Sequence, residues 1–403
     1  MSIKLIGIIW YKKRTDKEEI GKMSYQVDTI CIHGQGKREG IETTGSISFP
    51  IYQTAAYAHP GVGRSTGYDY NRVQNPTRKE LERIMTDLEH GVDTIAFATG
   101  MAAVSAFMEL FAPGDHVVAT DDLYGGVIRQ FRLVNEKNGM KFTYVNTTNL
   151  DAVEAAINEH TKLIYIETPT NPMMQITDIA EISKIARKHN CLLAVDNTFL
   201  TPYFQNPLDL GADVVIHSAT KYLEGHNDTL GGFLTTNSAE LTDKIREMIK
   251  TTGGVLAPFD AWLILRGMKT LSVRMEKHQE NALAIAKWLK TQPKVTGVYY
   301  AGLEDHPGHD IAVKQSRGHG GMLTFHVDSQ ETAHHVLESI RLIQFAESLG
   351  GTESLMTYPF TQTHADVPDE KRRANGIDET TLRMSVGIEN VKDLIADLEQ
   401  ALA

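Results

Sequence analysis

Cysteine is almost missing from this chain. Its 403 residues hold two, Cys31 and Cys191, and no Cys-x-x-Cys pair. That argues against a disulfide framework and against a cysteine-based zinc site. Cys191 opens the apolar run Cys191–Leu192–Leu193–Ala194–Val195 and reads as a buried structural thiol. A reducing compartment, the cytoplasm, is expected. An excess of positive charge is missing too. Forty Lys and Arg face 51 Asp and Glu, a formal charge of −11, which argues against nucleic acid or an anionic membrane as partner while leaving room for a local basic pocket. No stretch approaches the roughly 20 apolar residues of a membrane span. The apolar start Ile3–Tyr11 precedes its cluster Lys12–Lys13–Arg14, the reverse of a secretory leader. Residues 1–23 read as a poorly specified extension, with Met1 or Met23 as the start. No internal repeat is visible. His33, His217, His226, His306, His309 and His319 lack paired helical spacing, so no metal site is expected.

What is present is an ordinary globular composition, long enough for two or three domains. From about residue 79 helix and strand alternate. Strands are predicted at Thr94–Ala98, His116–Thr120, Lys141–Asn146, Lys162–Thr168, Leu192–Asp196, Ala212–His217 and Gly232–Thr235. Helices are predicted at Lys79–His90, closed by Gly91, at Gly100–Ala112, Asp151–Ile157 and Asp178–His189. Runs such as Leu163–Ile164–Tyr165–Ile166 are apolar nearly throughout, as strands buried on both faces are. The pattern predicts an α/β domain over 79–270, with a mostly parallel sheet flanked by helices. A long helical region, Pro258–Thr291, leads into a smaller α+β C-terminal domain over 271–403, with strands at Gly297–Tyr300, Met322–Val327 and Leu342–Phe345. Residues 24–78 have no sustained periodicity and read as an arm of loops; Gly61–Gly67 follows no strand and is one of them. Asp369–Arg373 reads as a solvated helix start.

Ligands of open α/β sheets bind beyond the carboxyl ends of the strands, so the residues there carry the argument. After Thr94–Ala98 comes Thr99–Gly100–Met101–Ala102–Ala103, where a glycine opens a helix whose free N–H groups suit a phosphate; a plain strand–helix turn explains it as well. Leu192–Val195 ends on Asp196–Asn197–Thr198, an acid that needs a partner or serves as a cap. Val214–His217 ends on Ser218–Ala219–Thr220–Lys221–Tyr222. Desolvation there would lower a lysine pKa and make it nucleophilic toward carbonyls, unless it snorkels to the surface. Together they match the needs of pyridoxal 5'-phosphate: an anion cradle, an amine for a Schiff base and a partner for the pyridine nitrogen.

Motifs from about Thr29 to the C-terminus give a resemblance. They are Tyr68–Asp69–Tyr70–Asn71–Arg72, Asn75–Pro76–Thr77–Arg78, Thr99–Gly100–Met101–Ala102–Ala103, Asp122–Leu123–Tyr124–Gly125–Gly126, Glu167–Thr168–Pro169–Thr170–Asn171–Pro172, Asp196–Asn197–Thr198, Ser218–Ala219–Thr220–Lys221–Tyr222, Ala346–Glu347–Ser348–Leu349–Gly350–Gly351 and Arg383–Met384–Ser385–Val386–Gly387. The chain resembles the Cys/Met-metabolism pyridoxal-phosphate enzymes. The resemblance implies fold type I: an N-terminal arm, a large cofactor domain and a C-terminal domain, in a homotetramer of two catalytic dimers. It implies that Lys221 holds the cofactor covalently and then moves protons. Asp196 keeps the ring nitrogen protonated, and Tyr124 stacks on the ring and assists proton transfer. Gly100, Met101, Ser218 and Thr220 hold the phosphate, joined by Tyr70 and Arg72 from the neighbouring subunit. Asn171 lies by the cofactor and the substrate carboxylate, which Arg383 clamps beside Ser348. Glu347 resembles the acid that reads the distal amino group of cystathionine or cysteine.

Gly126 stands where methionine γ-lyases carry cysteine, which argues against that activity. His226–Asn227–Asp228 varies from the commoner His–Ser–Asp, with no function attached. The runs Pro258–Phe259–Asp260 and Tyr358–His364 look closest to bacterial synthase or O-acetylhomoserine thiolyase members. The expected activity is γ-replacement, as in cystathionine γ-synthase, where cysteine displaces the acyl group of an O-acylhomoserine. The alternatives are a carbon–sulfur lyase acting on cystathionine, homocysteine or cysteine, and an O-acetylhomoserine sulfhydrylase. Lys221, Asp196, Tyr124 and Arg383 together argue against a non-enzymatic descendant of the fold.

Overall fold

A computed structural model describes residues 25–35, 44–362 and 369–403. The N-terminal extension, both candidate starts and Thr363–His364 lie outside the described residues. The larger sheet has seven strands: β1 (Asp93–Phe97), β2 (His116–Thr120), β3 (Lys141–Val145), β4 (Thr161–Glu167), β5 (Leu192–Asp196), β6 (Val214–Ser218) and β7 (Gly232–Thr236). Their order is β1-β7-β6-β5-β4-β2-β3. Only β7 runs against the rest, antiparallel to β1 and β6; the remaining pairings are parallel. The apolar run in β4 shows why both faces are covered. Leu163 and Tyr165 enter a core with Phe107 and Phe131, while Ile164 and Ile166 enter another with Ile182 and Leu193. Alternate residues serve alternate faces, so neither face tolerates a polar stripe.

The smaller sheet has the order β10-β11-β12-β9-β8, from β8 (Val295–Tyr299), β9 (Met322–Val327), β10 (Gln344–Phe345), β11 (Leu355–Thr357) and β12 (Thr381–Ser385). Sequence reasoning did not anticipate β11 or β12. The first is three residues long. In the second, Leu382 and Met384 join the C-terminal core while Arg383 faces the site between the sheets.

Three local expectations need correction. The helix predicted at Lys79–His90 spans Pro76–Leu88. Asn75 caps it by accepting from the N–H groups of Thr77 and Arg78, and Pro76 takes the first turn, where no N–H is needed. It closes with His90, not Gly91, in the left-handed conformation (φ 59°), and the Gly91 N–H reaches Thr86 O. The long helical region holds two helices, Pro258–Met268 and Leu271–Leu289. Gly267 lies against the backbone of Glu224, with no room for a Cβ. Its carbonyl accepts from the Thr270 N–H, three residues on, and also from Thr270 Oγ1 and Arg274 Nη2. Leu271–Leu289 then joins two cores, Leu271 and Met275 in the first and Ala282, Ile285 and Leu289 in the C-terminal one. The arm is not all loop: Val27–His33 is helical and buries Ile30 and Cys31. Asp369–Ala374 is a helix as expected, but not a freely solvated one. Lys371 Nζ stands 4.2 Å from the Tyr144 ring centroid and the Arg372 guanidinium 4.4 Å from that of Phe360. Cys191 is buried, its thiol donating to Thr161 O.

Candidate active site

A cavity of about 340 Å³ opens where the carboxyl ends of β1, β4, β5 and β6 face β12. Gly100, Met101, Tyr124, Asn171, Asp196, Ser218, Thr220, Lys221, Glu347, Ser348 and Arg383 all line it. Residues from nearly 300 positions of sequence are thus gathered by the strand ends, as an open α/β sheet requires.

The anion cradle comes first. Thr99 caps the helix Gly100–Met108 by accepting from Ala102 N at 2.9 Å. Helical geometry leaves the N–H groups of Gly100 and Met101 without an intrahelical partner. A Cβ on residue 100 would meet Ser218 Cβ at 2.9 Å and Ser218 Oγ at 3.1 Å. Glycine therefore brings main-chain donors and a hydroxyl to one point, with Thr220 beside them.

Lys221 follows β6 through one turn. Its Nζ donates to Ser348 Oγ at 2.9 Å. Burial, then the Arg383 guanidinium, lower its pKa to about 8, against an opposing pull from Glu347. Such an amine keeps a neutral, nucleophilic fraction near neutral pH far above that of a free lysine, and that fraction becomes the larger one above about pH 8. Asp196 ends β5. Thr198 donates to its Oδ1 from N at 3.0 Å and from Oγ1 at 2.6 Å, and that hydroxyl accepts from Ser218 N at 2.9 Å. Burial raises the Asp196 pKa and the Thr198 bonds oppose the rise.

Arg383 is 2% exposed. Nη1 donates to Asn171 Oδ1 at 2.8 Å, and Nη2 to Thr357 Oγ1 at 2.9 Å and to Ser348 O at 3.1 Å. Its Nε is buried without a partner among the described residues. Burial lowers its pKa to about 10. No carboxylate forms a salt bridge with it among the described residues, so the site is complementary to a carboxylate brought by a ligand.

Tyr70 and Arg72 stand apart from this cavity. Tyr70 is 48% exposed. Arg72 bonds the Lys250 carbonyl and lies 5.7 Å from the Tyr70 ring centroid. Three polar lining residues went unassigned in sequence: Thr99, Thr198 and Glu167. All stand inside quoted motifs, and Glu167 ends β4 as Asp196 ends β5, so the same strand-end logic could have found it.

The fit to pyridoxal phosphate is good on the structure's own terms. There is a cradle that a Cβ would fill, a half-buried lysine of lowered pKa, a half-buried acid lining the cavity at the end of β5 and an aromatic ring exposed at its edge. Fold and site define a pyridoxal-phosphate-dependent enzyme of fold type I. The chain belongs to the Cys/Met metabolism PLP-dependent enzyme family, whose pattern it matches over residues 28–403. It is 50% identical over 374 residues to a cystathionine gamma-lyase of Bacillus subtilis, covering 93% of this chain and 98% of that protein. It is 50% identical over 381 residues to a cystathionine gamma-synthase of Haemophilus influenzae, covering 94% and 98%. A cystathionine gamma-lyase from Lactobacillus plantarum, solved with L-serine, superposes with a TM-score of 0.90 at 44% identity, covering 94% and 98%. The chain is a pyridoxal-phosphate-dependent enzyme of cysteine and methionine metabolism acting in trans-sulfuration. Among the described residues no helix is long and apolar enough to cross a membrane.

Proposed function

We propose that this enzyme catalyses γ-replacement of the cystathionine γ-synthase type. The sulfur of cysteine bonds to Cγ of an O-acylhomoserine, the Cγ–O bond breaks, and the acyl group leaves as a carboxylic acid. The observation that carries this reading is the placement of Glu347 in the same cavity as Arg383 and Lys221. A guanidinium for an α-carboxylate and an acid for a distal ammonium suit a substrate pair that ends as cystathionine.

Bound pyridoxal phosphate supplies an electron sink for negative charge at Cα. The chain's residues do the rest. Gly100, Met101, Ser218 and Thr220 would hold the phosphate, Asp196 would accept a hydrogen bond from a protonated ring nitrogen, and Tyr124 would pack on the ring. Lys221 anchors the cofactor, then carries the proton from Cα and delivers it along the substrate chain. Arg383, with Asn171 and Ser348, holds the α-carboxylate by charge-assisted hydrogen bonds. Tyr70 and Arg72, outside their own cavity, complete the phosphate site of a neighbouring subunit in a catalytic dimer, two of which form a tetramer. Cytoplasmic placement accords with two buried free thiols.

A lyase that cleaves cystathionine, homocysteine or cysteine uses the same residues. Equal identity to a gamma-lyase and a gamma-synthase keeps it as the second reading. The test is a panel on purified protein: O-acetylhomoserine with cysteine, O-succinylhomoserine with cysteine, cystathionine alone and homocysteine alone. Cystathionine formation from an acylhomoserine as the fastest reaction supports the synthase. Cleavage of cystathionine or homocysteine without acylhomoserine turnover overturns it.

A further inference from the structure

β4 and β5 run parallel, and each ends on a carboxylate: Glu167 is the register partner of Asp196. Both line the cavity, and Glu167 is 5% exposed. The two differ in their donors. Asp196 accepts two hydrogen bonds from Thr198. Glu167 Oε2 accepts one, from the Tyr124 N–H at 2.9 Å. Neighbouring carboxylates in a water-poor site do not both ionise; one keeps a proton, and donors to the charged form decide which. That reasoning makes Asp196 the anion. Other groups facing Glu167 are the buried Asp122, which acts in the same sense as Asp196, and Arg383, which opposes them. Tyr165, two residues earlier on β4, is within electrostatic reach of both carboxylates, and its buried hydroxyl has no partner among the described residues. Burial, then Asp196, accordingly hold Glu167 well above the usual carboxylate range.

We infer that Glu167 stands in the cofactor-free site as a neutral carboxylic acid, a positioning residue that leaves Asp196 as the ionised member of the pair and fixes Tyr124 through its main-chain N–H. This rests on placing the ring nitrogen at Asp196. A cationic ring there relieves the repulsion that keeps the proton on Glu167. Binding then favours release of that proton, so affinity gains with rising pH relative to a side chain that cannot ionise.

Glutamine copies the neutral acid, with an oxygen for the Tyr124 N–H and a donor of its own. The test compares wild-type and Glu167→Gln apoenzyme binding pyridoxamine 5'-phosphate, which has the ring and phosphate but no aldehyde to react with Lys221. Groups on the probe titrate alike in both, so they cancel in the affinity ratio. Affinities within about tenfold at about pH 6, with wild type drawing ahead as pH rises to about 9, are expected; one proton allows at most about tenfold per pH unit. A ratio that stays constant with pH, or a loss beyond about tenfold already at about pH 6, overturns the inference. If the variant does not fold, infrared difference spectra of wild-type apoenzyme with isotope-labelled glutamate decide. A protonated glutamate band that changes on adding the probe supports the inference, and its absence overturns it. Unchanged probe affinity in Asp196→Asn would remove the ring-nitrogen placement, and the inference with it.

Discussion

The Lys221 amine donates to the Ser348 hydroxyl at 2.9 Å, across the seam between the two sheets. Ser348 has φ of 125°, a conformation that costs a non-glycine residue on the order of 1–3 kcal/mol. The turn is held there by its neighbours: Ser348 O accepts from Arg383, and Gly350 N donates to Ser385 Oγ. The lysine of one sheet and the carboxylate-binding turn of the other are therefore placed by each other.

The pKa of about 8 for Lys221 sets a pH dependence. Only the neutral amine attacks an aldehyde, and the neutral fraction grows with pH. The rate at which apoenzyme attaches pyridoxal phosphate should rise through about pH 8 and level off above it. Arg383 depresses the amine, so Arg383→Gln should move the midpoint to higher pH. Stopped-flow absorbance measures both, and a wild-type midpoint near that of a free lysine contradicts the argument.

Lys221→Ala removes anchor and proton carrier together. Turnover should fall by at least the roughly 10²–10⁴-fold of a lost general acid–base group, and the visible absorbance of a lysine-attached pyridoxal ring should vanish. Turnover at a sizeable fraction of the wild-type rate would show that another group carries the proton.

Arg72 should serve a neighbouring subunit. Neither it nor Tyr70 lines the cavity of its own chain, and both are displayed at the surface of the arm. Mixing Arg72→Ala with Lys221→Ala protein should restore part of the activity, since a hybrid dimer assembles one intact site. Demonstrated subunit exchange without recovery counts against a shared site.

The sheet around the site was readable because its strands are short apolar runs bounded by turn residues; the predicted limits of β2, β5 and β9 match the structure to the residue. What stayed hidden depends on distant contacts. The break before Leu271 comes just after Gly267, which lies on the Glu224 backbone, a contact no local pattern records. β12 carries two apolar residues in five, because its other face belongs to Arg383 and the site. Of the cavity's polar lining, Lys221 and Asp196 stand out as charges beyond buried strands, whereas Glu167 matters through its register with Asp196, a pairing visible only once the strands are aligned.

Glu347 should decide which partner of the reaction is accepted. The α-carboxylate of the substrate is matched by Arg383, so an acid is not needed for that end. Glu347 lines the cavity one residue before Ser348 and pulls electrostatically on both Lys221 and Arg383, which puts its charge near the reacting groups without a salt bridge to either. Cysteine and cystathionine carry an ammonium on the distal side; sulfide and methanethiol do not. A hydrogen bond to a charged group contributes roughly 1.5–3 kcal/mol, or about tenfold to a hundredfold in selectivity. Glu347→Ala, assayed with cysteine and sulfide as competing nucleophiles and with cystathionine as a lyase substrate, should lose the amino-bearing compounds selectively by that factor. An equal fall for every substrate would mean that Glu347 only supports its turn, and a lower melting temperature would accompany it.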